Sequence, residues 1–213
     1  MTTFSRYYNE ERKLISISME EMETLITNQE NKVEIADHLY ERLYTRYLKM
    51  FDYVSDESAF YEKNGEKKNQ NIFNTEYKNG FLQLAACSLL VETLAGFLTG
   101  ENETPNGQSR NRFNKVFEYA TVKGNDLKEF KDTDFYQKIR CGILHQGETK
   151  GRYTITRNST KIKDGDEINA HRFHKALKKL LNEYKNDLKT RNWNDEMWDC
   201  CRQKIRFIIN NGR

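Results

Sequence analysis

The sequence predicts an all-α protein, a bundle of about six to seven helices with one small β-hairpin, and three observations predict it. Pro105 is the only proline in 213 residues, so almost no position carries the residue that most strongly interrupts a helix. Apolar side chains recur at intervals of three and four through most of the chain, the spacing of one helical face. Hydrophobic residues reach only 37% against 31% charged, the balance expected of amphipathic helices with long solvated faces around one core. Twelve Phe and twelve Tyr supply much of the area to be buried, at roughly 150–250 Å² each. The length suits a single domain over residues 1–213.

Residues 1–17 are polar, charged and without helical periodicity, and read as an irregular amino-terminal segment. Ser18-x-x-Glu21 is a capping box, so a first helix runs from there to about Asn28. A second spans Lys32 to Val54, with Ala36, Leu39, Leu43, Tyr47, Met50 and Val54 on one stripe, widened by Tyr40, Tyr44 and Phe51. Ser55 to Gln70 loses periodicity around Gly65 and reads as a loop. The central helix, Thr75 to Leu98, is apolar nearly all round from Phe81 onward and is closed by Gly100. Gln83, Ser88, Glu92 and Thr93 make it a poor bilayer span and a good core helix.

A loop with Pro105 and Gly107 leads to a helix over Arg110 to Thr121. The next helix starts at Asp132 or Thr133, either of which can cap it, and stops at Gln146 before Gly147. A hairpin insertion over 150–165 follows: Arg152 to Thr156 and Thr160 to Lys163 are the strands, with turns at Asn158-Ser159 and Asp164-Gly165. Asn169 caps a long helix to Thr190 with the stripe Phe173, Leu177, Leu180, Leu181, Tyr184 and Leu188. Asn194 caps the last one, through Trp198, Ile205 and Ile208 to Asn210.

No amino-terminal stretch has the basic, apolar and small-residue sequence of a secretory leader, so the expected location is the cytoplasm, with no membrane partner. Four cysteines, Cys200 and Cys201 vicinal, lack a disulfide framework; the vicinal pair reads as small packing residues. Net charge is +3, unevenly distributed: residues 150–191 hold 12 Lys and Arg against 5 Asp and Glu. Arg172, Lys175, Lys178 and Lys179 share the exposed face of one helix there, a face suited to an RNA backbone or simply to water. His171 and His174 have a metal-pair spacing without a third ligand, so no metal and no cofactor is expected.

The most informative stretch is Arg140-Cys141-Gly142-Ile143-Leu144-His145. A permanent cation and the side chain that titrates near neutral pH, at fixed separation, are the minimum equipment for cleaving a phosphodiester without a metal. At 100 degrees per residue, Phe135, Tyr136, Ile139 and Ile143 share the core-facing stripe. Leu144 and Cys141 lie opposite, bracketed by Arg140 and His145, which stand about 140 degrees apart around the axis and roughly 7.5 Å apart along it. That is too far to act as one stripe. The apolar strip between them calls for a second layer, either another element of the chain or a second copy, and a two-fold dimer would bring one copy's Arg beside the other's His.

This Arg-x-x-x-x-His motif, late in a helical bundle behind an apolar helix containing Glu92, resembles the signature of the HEPN superfamily (higher eukaryotes and prokaryotes nucleotide-binding). The resemblance implies a metal-independent endoribonuclease that dimerises to form its cleft, acts on RNA and belongs to bacterial or phage conflict, with an antitoxin or other protein as partner. It implies catalytic roles for Arg140 and His145, with Glu92 orienting one of them, since a buried carboxylate needs a partner. A structural salt bridge is the plainer role for Glu92, and a non-catalytic nucleotide-binding or interaction module is the alternative for the whole chain. Two positions depart from the family's pattern. Cys141 stands where a polar residue, frequently Asn, often follows the Arg, and Gly147 stands where toxins paired with nucleotidyltransferase antitoxins carry Tyr.

Overall fold

The computed structural model describes residues 2–54, 79–103, 107–157 and 159–212; the expected loop over 55–70, the first residues of the expected central helix, Pro105 and Asn158 lie outside them. The fold is mostly α. Seven α-helices occur among the described residues: α1 Met19–Asn28, α2 Lys32–Tyr47, α3 Gly80–Thr99, α4 Ser109–Val122, α5 Cys141–Gln146, α6 Ala170–Thr190 and α7 Glu196–Asn211. Five short strands join them: β1 Thr3–Tyr8, β2 Leu14–Ser18, β3 Thr154–Thr156, β4 Lys163–Asp164 and β5 Glu167–Asn169.

The centre is α3. It is long and apolar enough to cross a membrane, but it packs against α4, α6 and α7 and buries Leu84, Cys87, Leu90, Val91, Leu94 and Phe97. Asn79 caps its start by accepting from the Leu82 amide, and Gly100 ends it in the left-handed conformation, φ 71°. On one side α6 buries the whole expected stripe, from Phe173 to Leu188. On another, Phe113 and Phe117 of α4 meet Phe130, Phe135 and Phe173 in one aromatic cluster, with the Phe135 and Phe173 rings stacked 5.0 Å apart. The capping box at Ser18 and Glu21 is formed.

Four expectations are corrected. The amino-terminal segment is not irregular: β1 and β2 pair antiparallel, Tyr8 opposite Leu14 and Ser5 opposite Ile17. The sheet forms because one face of it is a core face, with Phe4 and Ile17 buried, and because α2 holds it. The Ser5 hydroxyl and His38 Nδ1 are hydrogen-bonded at 2.6 Å, and the Arg42 guanidinium donates to the Phe4 carbonyl and lies 4.6 Å over the Phe4 ring.

The second expected helix stops at Tyr47 and gives way to a 3₁₀ turn over Lys49–Val54; Met50 is exposed there while Leu48 and Phe51 take the core positions. The sheet after α5 is not a simple hairpin. Its order is β3-β5-β4, with β5 parallel to β3 and antiparallel to β4. The central place goes to the strand carrying the fully buried Ile168, which runs directly into α6. Finally, Asp195, not Asn194, caps α7 by accepting from the Met197 amide.

His38 and His174 are both buried. Burial holds each imidazole below the ordinary histidine value, although Glu34, Asp37 and Glu21 oppose this at His38, and the Leu48 carbonyl and Asp52 oppose it at His174. The folded state therefore binds fewer protons than the unfolded chain as pH falls through about 6.5, and stability must fall with it. Urea midpoints taken at about pH 7.5 and about pH 5.5 are expected to drop across that window, with the drop reduced in His174→Gln; an equal drop in the variant refutes the assignment to His174.

Candidate active site

The motif segment is built in two pieces. Residues Tyr136–Arg140 form a π-helical turn, in which the Cys141 amide bonds to the Tyr136 carbonyl, and α5 follows directly. The wider turn is a local irregularity of the kind often found where function requires a side chain to be re-aimed. The inward residues are the expected ones: Phe135 and Ile139 are buried, and Tyr136 and Ile143 pack partly against the core. Gly147, φ 70°, closes the helix through its amide bond to the Ile143 carbonyl.

Gly142 explains why the chain can turn back on itself here. A Cβ at that position would lie 2.5 Å from the Glu148 carbonyl oxygen and 3.1 Å from the Lys150 nitrogen, so the backbone of 148–150 rests directly on α5. The Lys150 amide completes the contact by donating to the Lys138 carbonyl at 2.8 Å.

Arg140 leaves the π turn toward α3, where its Nη2 donates to Glu92 Oε2 at 2.9 Å. Both side chains are mostly covered, 18% and 22% exposed. The guanidinium stands 5.5 Å over the Tyr136 ring. Burial by itself disfavours its charge, but the hydrogen bond and negative charge of Glu92 outweigh this, so Arg140 is held more firmly cationic than a free arginine. Arg140 Nε is buried without an acceptor among the described residues.

His145, in the last turn of α5, is exposed and makes no hydrogen bond to the described residues. Leu144 beside it remains 38% exposed and Cys141 is half-buried, so the described residues leave the apolar strip between Arg140 and His145 partly open. Leu89 and Leu82 of α3 are exposed as well, and Leu89 lies one turn before Glu92.

The four α6 cations are not equivalent. Arg172 donates through Nε to the Ser159 carbonyl. Lys178 is bound to Asp52 at 2.6 Å and rests 4.8 Å over the Tyr44 ring. Lys175 and Lys179 face solvent. None of the four lines the groove that Glu92 lines. Sequence reasoning missed the cations that do: Arg42 and Arg46 of α2, Arg112 of α4 and Lys204 of α7 line a groove of about 450 Å³ together with Glu92. The signals that could have found them are the i, i+4 pair on α2 and Gly96, a glycine in the middle of an apolar helix. Among the described residues no group of three His, Cys, Asp or Glu side chains is placed to hold a metal ion, and the His174 Nε2 lies 3.0 Å from the Leu48 carbonyl.

No protein-family model, curated protein or solved structure matches this chain.

The Gly142 contact is backbone against backbone and cannot be relieved by a rotamer change. Gly142→Ala is expected to cost about 1–3 kcal/mol, the range for forcing an extra methyl into a packed contact, read as a lowered urea midpoint with unchanged slope. A variant as stable as the parent would show that the 148–150 backbone does not rest on α5.

Proposed function

We propose that this chain is a metal-independent endoribonuclease working as a homodimer, in which Arg140 of one copy and His145 of the other act on one RNA phosphodiester. The observation that carries the reading is the partly open apolar strip between Arg140 and His145. Leu144 is an exposed apolar side chain on the helix that carries both the fixed Arg140 cation and the exposed His145 imidazole, and Leu89 is exposed one turn before Glu92, the partner of Arg140. Apolar surface of this kind, rimmed by charge, marks an interaction site. A two-fold contact over it would join two elements that one helix holds too far apart.

The chemistry follows from the two groups. The ribose 2′-oxygen attacks the adjacent phosphorus, forming a new P–O bond as the bond to the 5′-oxygen breaks; the 2′-proton leaves to a base and the departing oxygen receives a proton. His145 handles a proton at one of these oxygens. Arg140 stabilises the charge that gathers on the non-bridging oxygens, and Glu92 fixes the guanidinium so that little reorganisation is needed during the step. The reading implies a setting in bacterial or phage conflict, with a cognate protein partner, and a cytoplasmic location.

One observation favours a second reading. Arg140 is already bonded to an internal carboxylate, as it would be in a helical nucleotide-binding or interaction module without turnover.

Incubating the protein with mixed RNA in EDTA separates the two. The nuclease is expected to cleave. Arg140→Ala should slow it by about 10²–10³-fold and His145→Ala by about 10²–10⁴-fold, while mixing the two inactive variants should restore cleavage through heterodimers carrying one intact site. Absence of cleavage by the parent protein, or cleavage indifferent to both substitutions, overturns the nuclease and leaves the module.

A further inference from the structure

Helix α7 leaves a face to solvent, and a groove of about 590 Å³ runs along it. Gln203, Arg206, Phe207 and Asn210 line it at intervals of three and four along the helix, and Gln29 just past α1 and Asn102 after α3 complete its lining. Four carboxamides thus come together from three elements distant in sequence. All four are exposed, and none of their side chains bonds to the described residues. The charges are simpler. Asp199 is paired with Arg202, which also donates to the Trp193 carbonyl at 2.9 Å, so Arg206 is the charged lining residue left without a partner among the described residues.

A carboxamide presents a donor group and an acceptor, the complement of a peptide group. The ligand that matches a row of them carries main-chain groups with no partners of their own, which excludes an α-helix, whose amides bond to one another. Spacing separates the remaining conformations. Gln203 and Asn210 are seven residues apart on α7, which places them about 10.5 Å apart along the axis and within about 20 degrees around it. An extended strand shows the same face every two residues, about 6.6 Å. A polyproline II segment shows it every three, about 9.3 Å, and makes no internal hydrogen bonds, so its repeat is the closer match. Between the two amides Phe207 stands partly exposed, with the Lys204 ammonium 4.7 Å over its ring, and proline-rich segments dock on aromatic side chains. A Cβ on Gly100 would lie 2.9 Å from Gln203 Oε1, so the first amide rests directly against the end of α3.

We propose that the α7 groove binds a proline-rich segment of another protein in the polyproline II conformation, with the Gln203 and Asn210 amides on its main-chain carbonyls, a proline ring on Phe207 and an acidic side chain on Arg206. This chain has one proline, so the segment belongs to a partner. The proposal does not rest on the Arg140 and His145 reading and shares no residue with that site.

Fluorescence anisotropy with labelled dodecapeptides, (Pro-Pro-Glu)₄, (Pro-Pro-Lys)₄ and (Gly-Ser-Glu)₄, tests it. The first is expected to bind. The lysine peptide should bind at least about tenfold more weakly, because it brings a like charge to Arg206, and the glycine-serine peptide at least about tenfold more weakly, because it must be ordered on binding. Arg206→Ala should weaken the first peptide about tenfold, and Gln203→Ala and Asn210→Ala about threefold or more each, as loss of one neutral hydrogen bond requires. Lys131→Ala, at an exposed cation outside the groove, should leave it unchanged. All four substituted side chains stand in water, so none of these variants opens the core. The proposal is overturned if (Pro-Pro-Glu)₄ fails to bind, as it would were the groove the seat of a second copy of this chain. It is overturned equally if either other peptide binds as tightly, or if the groove variants bind like the parent protein.

Discussion

A twenty-residue helix with apolar residues on nearly every face cannot stand in water, and the placement of the other elements follows from the need to cover α3. Helices α4, α6 and α7 pack on it, and α2 closes the bundle by packing on both α3 and α6. The exception on that helix is informative because it is alone in its chemistry: Glu92 is its only ionisable carboxylate, it faces the one side left partly open, and it is met there by Arg140. The same burial that organises the core therefore fixes the orientation of the motif arginine, so core packing and site geometry are one constraint.

What was legible in the sequence was whatever local physics decides. The capping box at Ser18, the cap at Asn169, the left-handed stops at Gly100 and Gly147 and the stripe from Phe173 to Leu188 each need only neighbours within a few residues. The partnership of Glu92 with a motif side chain was also legible, because a carboxylate inside an apolar helix admits few solutions. What was not legible depends on contacts between distant segments. Residues 3–18 become a sheet because Ser5 and Phe4 find His38 and Arg42, and β5 displaces the expected return strand because Ile168 finds the core. The π turn at Tyr136–Arg140 leaves no signature in composition at all.

Charge taught the same lesson. The run of lysine and arginine after residue 150 is conspicuous in sequence, yet much of it is spent on ion pairs within the chain: Lys161 with Asp164, Lys178 with Asp52, Lys189 with Asp37 and Arg191 with Asp195. The cations that line the groove beside Glu92 come from three helices, Arg42 and Arg46 from α2, Arg112 from α4 and Lys204 from α7, so no sliding count of charge could assemble them. Two of them, Arg112 and Lys204, meet over the side chain that Gly96 lacks.

The π turn also bears on how relatives of this chain would have to be recognised. An i to i+5 turn holds one residue more than an α-helical turn, so positions before Tyr136 and after Arg140 are out of step by one. A protein with the same bundle but an unbroken helix would align with this one only through a single-residue gap within Tyr136–Arg140. Methods that score ungapped helical blocks would then match either the aromatic half of this segment or the half ending in His145, but not the two together.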